Sequence, residues 1–273
     1  MPLLVRRGVN VPTAAETLGL NEVTKFISEK NPNVRLTIHI QTFDHPFVYY
    51  LLIIVDDGTQ LSNEDAAVRI EQECAHLVSV VAFVKKTKWL DAVLQGKLKD
   101  FCYAVLPGNV RYRSPLFEKS NEIRSPLRIS AADIKASWDK WGDEGHGLFF
   151  EALNLQDQGR YPECLLRVNK SIAYSLKALI GMYTGHIPKT IDITRLLKMS
   201  LLCTAGIWRI FYKNSDSSRQ ALKVLFSIND DNDQSTDIEL NEPALNVLML
   251  NAHLLTVCVE HEYLGLLENE KIR

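Results

Sequence analysis

Phe47-Val48-Tyr49-Tyr50-Leu51-Leu52-Ile53-Ile54-Val55 is nine consecutive apolar or aromatic residues, closed by Asp56-Asp57-Gly58. So continuous a run of β-branched and aromatic side chains suits a strand buried on both faces, the central strand of a sheet. Working back from it, Val34 to Gln41 alternates strictly, with Val34, Leu36, Ile38 and Ile40 against Arg35, Thr37, His39 and Gln41. This period of two predicts a half-buried neighbouring strand. Working forward, Ser62-Asn63-Glu64-Asp65 has a capping pattern, and Ala66, Ile70, Cys74 and Leu77 mark the buried stripe of a helix. Val78 to Val84 is a further strand, a short helix around Trp89 to Leu94 closes at Gly96, and a short strand falls near Val110 to Tyr112. The pattern β-β-α-β-α is that of a small α/β unit with a mixed sheet.

Ser114-Pro115 and Ser125-Pro126 bracket a charged segment without periodicity, because the residue before a proline is steered away from helix. Beyond Ser130 the period changes from two to 3.6. Ser130 and Asp133 form a capping pattern, and Ile134, Trp138, Trp141, Phe149, Ala152 and Leu155 trace one helical face. Gly159 suits a left-handed helix end and Pro162 the first turn of the next helix. Its stripe is Leu165, Val168, Ile172, Leu176, Leu179 and Tyr183, and Gly185 stops it. Helices follow Thr190, span roughly Ser217 to Phe226, and begin near Asn241 with Leu245, Leu248, Ala252, Leu255 and Val259 inward. The fold class is α+β, a small mixed-sheet domain (1–113), a linker (114–129) and an antiparallel up-down helical bundle (130–273).

The 273 residues are 46% hydrophobic and 23% charged, and 31 basic against 33 acidic side chains leave a formal net charge of −2, which excludes disordered classes and any global attraction to nucleic acid. The basic pair Arg6-Arg7 interrupts any signal-like start, and Val48–Val55 and Val247–Val259 fall short of about 20 apolar residues needed to cross a bilayer. A soluble, cytoplasmic chain is expected. Five scattered cysteines, an odd number in apolar contexts, fit a reducing compartment. No Walker loop, Gly-x-Ser-x-Gly elbow or Gly-x-Gly-x-x-Gly occurs.

Gly159-Arg160-Tyr161, the helix carrying Leu176-Lys177-Ala178-Leu179, and Gly185 with Ile187-Pro188-Lys189-Thr190-Ile191-Asp192-Ile193 together resemble the HEPN helical bundle. The likeness runs over roughly Ser130 to Arg273. Bacterial chains of that kind often carry a nucleotidyltransferase-like domain first, and Tyr49 to Gly58, with Trp89-Leu90, Gly96, Phe101 and Gly108 to Tyr112, resembles its later part. The resemblance implies a homodimer, a nucleotide or protein partner, and a place in a toxin–antitoxin-like system.

The chemical residues of both families are missing from their expected places. Active transferases are expected to show a Gly-Ser turn and two aspartates one residue apart, both carboxylates on one face to hold Mg²⁺. Here Asp56 and Asp57 are adjacent, so they read as solvated turn residues and no metal or cofactor is expected. Nuclease members of the HEPN family place an Arg four to six residues before a His, the one steadying phosphate charge and the other moving a proton. No Arg of the bundle has that partner, the Thr-His-Asp turn is Thr190-Ile191-Asp192, and Asn229-Asp230-Asp231-Asn232-Asp233 with Asp237 and Glu239 would repel RNA. Arg69 and His76, seven apart, and Cys258 with His261 and His253 read as chance spacings, and Asp44-His45 as a turn. The expectation is a non-catalytic nucleotide- or protein-binding module. Lys170, Lys177, Lys189 and Arg195, with Lys198, form its basic binding face, and Trp138, Trp141 and Phe149 are the candidate dimer contact. An RNA-cleaving enzyme with other residues, and Mg²⁺-dependent nucleotidyl transfer, are the open alternatives; binding of RNA itself stays open.

Overall fold

The structure is a computed structural model that describes residues 14–44, 46–117, 129–212, 215–228 and 242–271. The chain divides into two compact units, Met1–Arg128 and Ile129–Arg273.

The first unit is a four-stranded mixed sheet with strands β1 (Val34–Asp44), β2 (Phe47–Val55), β3 (Ser79–Lys86) and β4 (Val110–Arg113) in the order β3-β2-β1-β4. β2 runs antiparallel to β1 and parallel to β3, and β1 is antiparallel to β4. Helix α1 (Ala14–Lys30) precedes the sheet, α2 (Asn63–Cys74) crosses from β2 to β3, and α3 (Thr87–Leu94) follows β3. Ser62 caps α2 by accepting the Asp65 amide at 3.1 Å, as the sequence pattern predicts. The stretch Phe101 to Leu106 forms a 3₁₀ turn, Cys102–Ala104, and a second turn spans Pro107–Asn109.

From Val48 onward β2 is buried throughout, in keeping with its central place. One face carries Tyr49, Leu51, Ile53 and Val55, packed with Leu20, Val23 and Ile27 of α1 and Ala66, Ala67, Ile70 and Cys74 of α2. Strand β1 departs from the expected half-buried pattern. Val34 pairs with Val55 but Leu36 with Ile54, and His39 pairs with Leu51 but Gln41 with Tyr50. The shifts leave Arg35 and Ile40 as the extra residues of two β-bulges. Each bulge exchanges the faces, so Leu36 and Ile38 lie on the side opposite Val34, and Thr37 and His39 lie on the helix-covered side with both fully buried. Burying His39 requires compensation, and its Nε2 lies 3.0 Å from Thr42 Oγ1.

The second unit is helical among its described residues. Ser130 and Asp133 complete a reciprocal capping box for α4 (Ala131–Ser137). A single π-helical turn, Trp138–Gly142, joins α4 to α5 (Asp143–Asp157), so the single uninterrupted helix expected from the periodicity is broken by one wide turn. α6 (Tyr161–Thr184) starts with Pro162 in its first turn and stops at Gly185, whose φ is +70°. Gly159 (φ +71°) likewise ends the preceding helix in the left-handed region. α7 (Ile193–Ser200), α8 (Gly206–Phe211), α9 (Asp216–Ser227) and α10 (Glu242–Lys271) follow. α8 is absent from the sequence-based reading, since six residues give too little periodicity.

α6 is a central pillar rather than one wall of an up-down bundle. It packs against α4, α5, α7 and α10, and residues around its whole circumference are buried, from Leu165 and Ile172 to Ser171, Ser175 and Gly181. Its close approach to α5 depends on small residues. Ser171 Oγ donates to the Gly145 carbonyl at 2.7 Å, and a Cβ on Gly145 would lie 2.9 Å from Ser175 Oγ and 3.2 Å from the Ser175 amide nitrogen. The expected inward set of α10, Leu245, Leu248, Ala252, Leu255 and Val259, is buried as predicted.

Candidate functional site

In open α/β sheets, ligands gather beyond the carboxyl ends of parallel strands. At that edge of the first unit, Arg35 stands at the first bulge of β1, Asp56 and Asp57 follow β2, Lys85 and Lys86 end β3, and Ser114 follows β4. The Arg35 guanidinium grips Asp56 with two donors, Nε to Oδ1 at 2.6 Å and a terminal nitrogen to Oδ2, and this raises the Arg35 pKa. A further guanidinium nitrogen lies 3.4 Å from Ser114 Oγ.

Asp57 has another task. Its Oδ1 accepts the Lys88 amide at 3.1 Å in the first turn of α3, and that bond holds its carboxyl below the usual value. Lys86 Nζ donates to the Thr59 carbonyl at 2.7 Å. The expected solvated pair is therefore corrected: one carboxylate is clamped by a cation and the other caps a helix. To serve a cation together, Asp56 would have to leave Arg35 and Asp57 would have to release α3.

A second polar cluster escapes sequence reading. Trp89 Nε1 donates to Asp100 Oδ1 at 2.7 Å, Lys85 Nζ bonds the other oxygen at 2.5 Å, and the same ammonium lies 5.5 Å from the Trp89 ring. The next residue, Phe101, is fully buried with φ +53° and packs its ring 4.5 Å from that of Phe83. Lys85 and Asp100 are 15 residues apart, outside any helical or strand period, so no local pattern announces them.

In the second unit the expected basic face is only partly a face. Lys170, Lys189 and Lys198 are exposed, whereas Lys177 is 5% and Arg195 6% exposed. Burial lowers the Arg195 pKa to about 10. Lys177 points its ammonium at rings: Nζ is 5.1 Å from Trp141 and 6.0 Å from Tyr174, and Lys140 approaches Trp141 at 5.1 Å. One indole thus serves two cations, and a residue from the binding set meets one from the expected dimer set inside a single chain.

The other expected dimer contacts are corrected in the same way. Trp138 is buried, stacked on Tyr263 of α10 at 4.6 Å and edge-on to His146 at 5.4 Å. Phe149 is buried against His253 of the same helix at 5.7 Å. These rings fasten α10 to the α4–α5 segment and offer little surface to a partner.

The remaining constellations separate. Arg69 pairs with Glu73 at 2.8 Å while His76 lies edge-on to Phe26. Cys258 Sγ lies 3.3 Å from where a Cβ on Gly206 would stand, and its thiol is pushed up to about 11 by burial, far from a reactive thiolate. Tyr183 donates its hydroxyl to Glu262, and burial together with that bond pushes its pKa up. Among the described residues no group of three or more His, Cys, Asp or Glu converges as a metal site would require. The acidic stretch 229–239, the segment 118–128 and His45 lie outside the described residues.

One described helix, α10 over Glu242–Glu270, is long and apolar enough to cross a membrane by length and composition, which the segment Val247–Val259 alone does not suggest; half of its most apolar window is buried within the protein.

These features define a two-unit α+β chain, a mixed-sheet unit followed by a helical one. Comparison with protein-family models and with curated proteins returned no match. Among solved structures, the crystal structure of a nucleotidyltransferase-like protein from Exiguobacterium sibiricum aligns over 90% of this chain and 75% of that one, at 13% identity and a TM-score of 0.28.

Proposed function

We propose that this chain is a non-catalytic binding module of HEPN type carried behind a degenerate nucleotidyltransferase-like unit, and that it engages a protein rather than a nucleotide. The observation that carries the reading is the fate of Asp56 and Asp57: the carboxylates nearest to a metal-binding pair are held by Arg35 and by the start of α3. The HEPN-like framework is supported by the tasks its signature residues perform. Gly159 and Gly185 are left-handed helix ends, and Asp192 caps α7 by accepting the Thr194 amide at 2.9 Å. Protein is favoured over nucleotide because two of the four expected phosphate-facing cations, Lys177 and Arg195, are buried. A partner of the toxin–antitoxin kind fits such a module.

Isothermal calorimetry with millimolar ATP and Mg²⁺ and incubation with a mixed RNA pool in EDTA test the reading directly. It expects no heat, no cleavage, and a stoichiometric protein companion when the chain is purified from its native cell. Mg²⁺-dependent nucleotide binding that disappears in Asp56→Asn, or RNA cutting abolished by Arg195→Ala, would replace it with one of the enzymatic alternatives.

A further inference from the structure

α10 is apolar on two opposite sides. Leu245, Ala252, Val259 and Leu266, seven apart, are buried in the bundle. Diametrically across the helix runs a second row at spacings of three and four: Val247, Leu250, Leu254, Val257, His261 and Leu264. Leu250 is 51%, Val257 50% and Leu264 52% exposed, and Val247 and Leu254 are half-buried. A row at 3.5-residue intervals is the seam by which one helix inserts its side chains between those of another. Isolated exposed leucines need no explanation, but six seam positions in strict alternation over about 26 Å of helix form one continuous strip.

We propose that this strip is the contact between two copies of the chain, with the two α10 helices antiparallel about a two-fold axis between Leu254 and Val257. Self-complementarity singles out the second copy. In that register Val247 meets the partner's Leu264, Leu250 meets the partner's His261, and Leu254 meets the partner's Val257, each layer occurring twice by symmetry. The flanking positions then place His253 opposite the partner's Glu260, also twice, a complementary pair beside the seam. A parallel pair would instead set His261 against His261 and align the two helix dipoles, both unfavourable. The strip is narrow, so the contact belongs to the small end of stable interfaces and a dissociation constant on the order of 10 µM is expected. This inference rests on the α10 surface alone and stands whether or not the module binds a nucleotide.

Sedimentation of the full chain between 1 and 100 µM is the test. The expected mass rises from 31.0 kDa toward twice that value across the range. Leu250→Glu with Val257→Glu is expected to hold the chain at the monomer mass with its circular dichroism and melting unchanged, because both positions lie outside the core. Glu260→Lys weakens the dimer about tenfold, and adding His253→Glu restores it by exchanging the charges. The proposal is overturned by a wild-type monomer at 100 µM, by a dimer that survives the double glutamate change, by failure of the charge exchange, or by a monomer that binds lipid vesicles through the same strip.

Discussion

Adding one methyl group at each of two glycines in α5 separates packing from helix propensity. Gly145 and Gly147 occupy the same helix two residues apart, so alanine at either one gains about 0.8–1 kcal/mol of intrinsic helix preference. The surroundings differ. At Gly147 a Cβ meets nothing within 4 Å, whereas at Gly145 it meets Ser175 Oγ at 2.9 Å, the Ser175 amide nitrogen at 3.2 Å and the Ser171 carbonyl oxygen at 3.4 Å. Two of those three atoms are backbone, which cannot swing aside, so the insertion forces α5 and α6 apart at a cost of about 1–3 kcal/mol. Gly147→Ala therefore stabilises by about 1 kcal/mol, while Gly145→Ala is neutral to destabilising by about 2 kcal/mol. The gap between the two variants is the packing term alone. At about 4 °C per kcal/mol for a domain of this size it amounts to some 4–12 °C in Tm. Melting followed by tryptophan emission reads it, since Trp138, Trp141 and Trp208 all lie in the helical unit. Equal upward shifts for both variants would refute the close α5–α6 crossing.

Asn251 is fully buried in α10, and among the described residues neither its amide nitrogen nor its oxygen has a partner, so Asn251→Leu is expected to raise stability by about 1–3 kcal/mol in urea titrations. Acid lability follows from carboxyls whose folded pKa is depressed: Asp57 by the Lys88 amide, and Glu73, where bonds from Arg69 and Asn31 overcome the opposing effect of burial. For such groups the unfolded chain binds more protons. Their stabilisation is complete above the ordinary values of 3.8 and 4.5 and is lost as pH falls through the folded values, so Tm should be flat from pH 7 to about 5 and drop below about 4. A Tm that rises on acidification would contradict this sign. Four thiols, Cys74, Cys102, Cys164 and Cys258, are pushed up to about 11 by burial and Cys203 higher still, so a chromogenic disulfide at pH 8 should react fully with all five only after denaturation.

The element order was readable because its signals are local. A nine-residue apolar run, Ser62 and Ser130 with their aspartates, and glycines at Gly159 and Gly185 each state a boundary within a few residues. What was not readable depends on pairing. Strict alternation in β1 suggests one apolar face, but the bulges at Arg35 and Ile40 appear only when β1 is set against β2, and they send Thr37 and His39 to the covered side. The stripe of α6 describes one side of a helix that turns out to have neighbours all round, and so Lys177 and Arg195 look like surface cations until the packing is known. Lys85 with Asp100, and Tyr183 with Glu262, are brought together by chain crossings that no spacing encodes. The exposed row on α10 was hidden for the opposite reason: an apolar residue on every side gives no contrast between the faces.

The two borders of the sheet limit how it could recruit foreign chain. Strand β4 offers only four residues, and along β3 the carboxylate of Glu71 already occupies the Ala82 amide at 2.9 Å, a donor that an incoming strand would need. Extension of the sheet by a visiting peptide, and its runaway form in fibrillar aggregates, is obstructed at both margins.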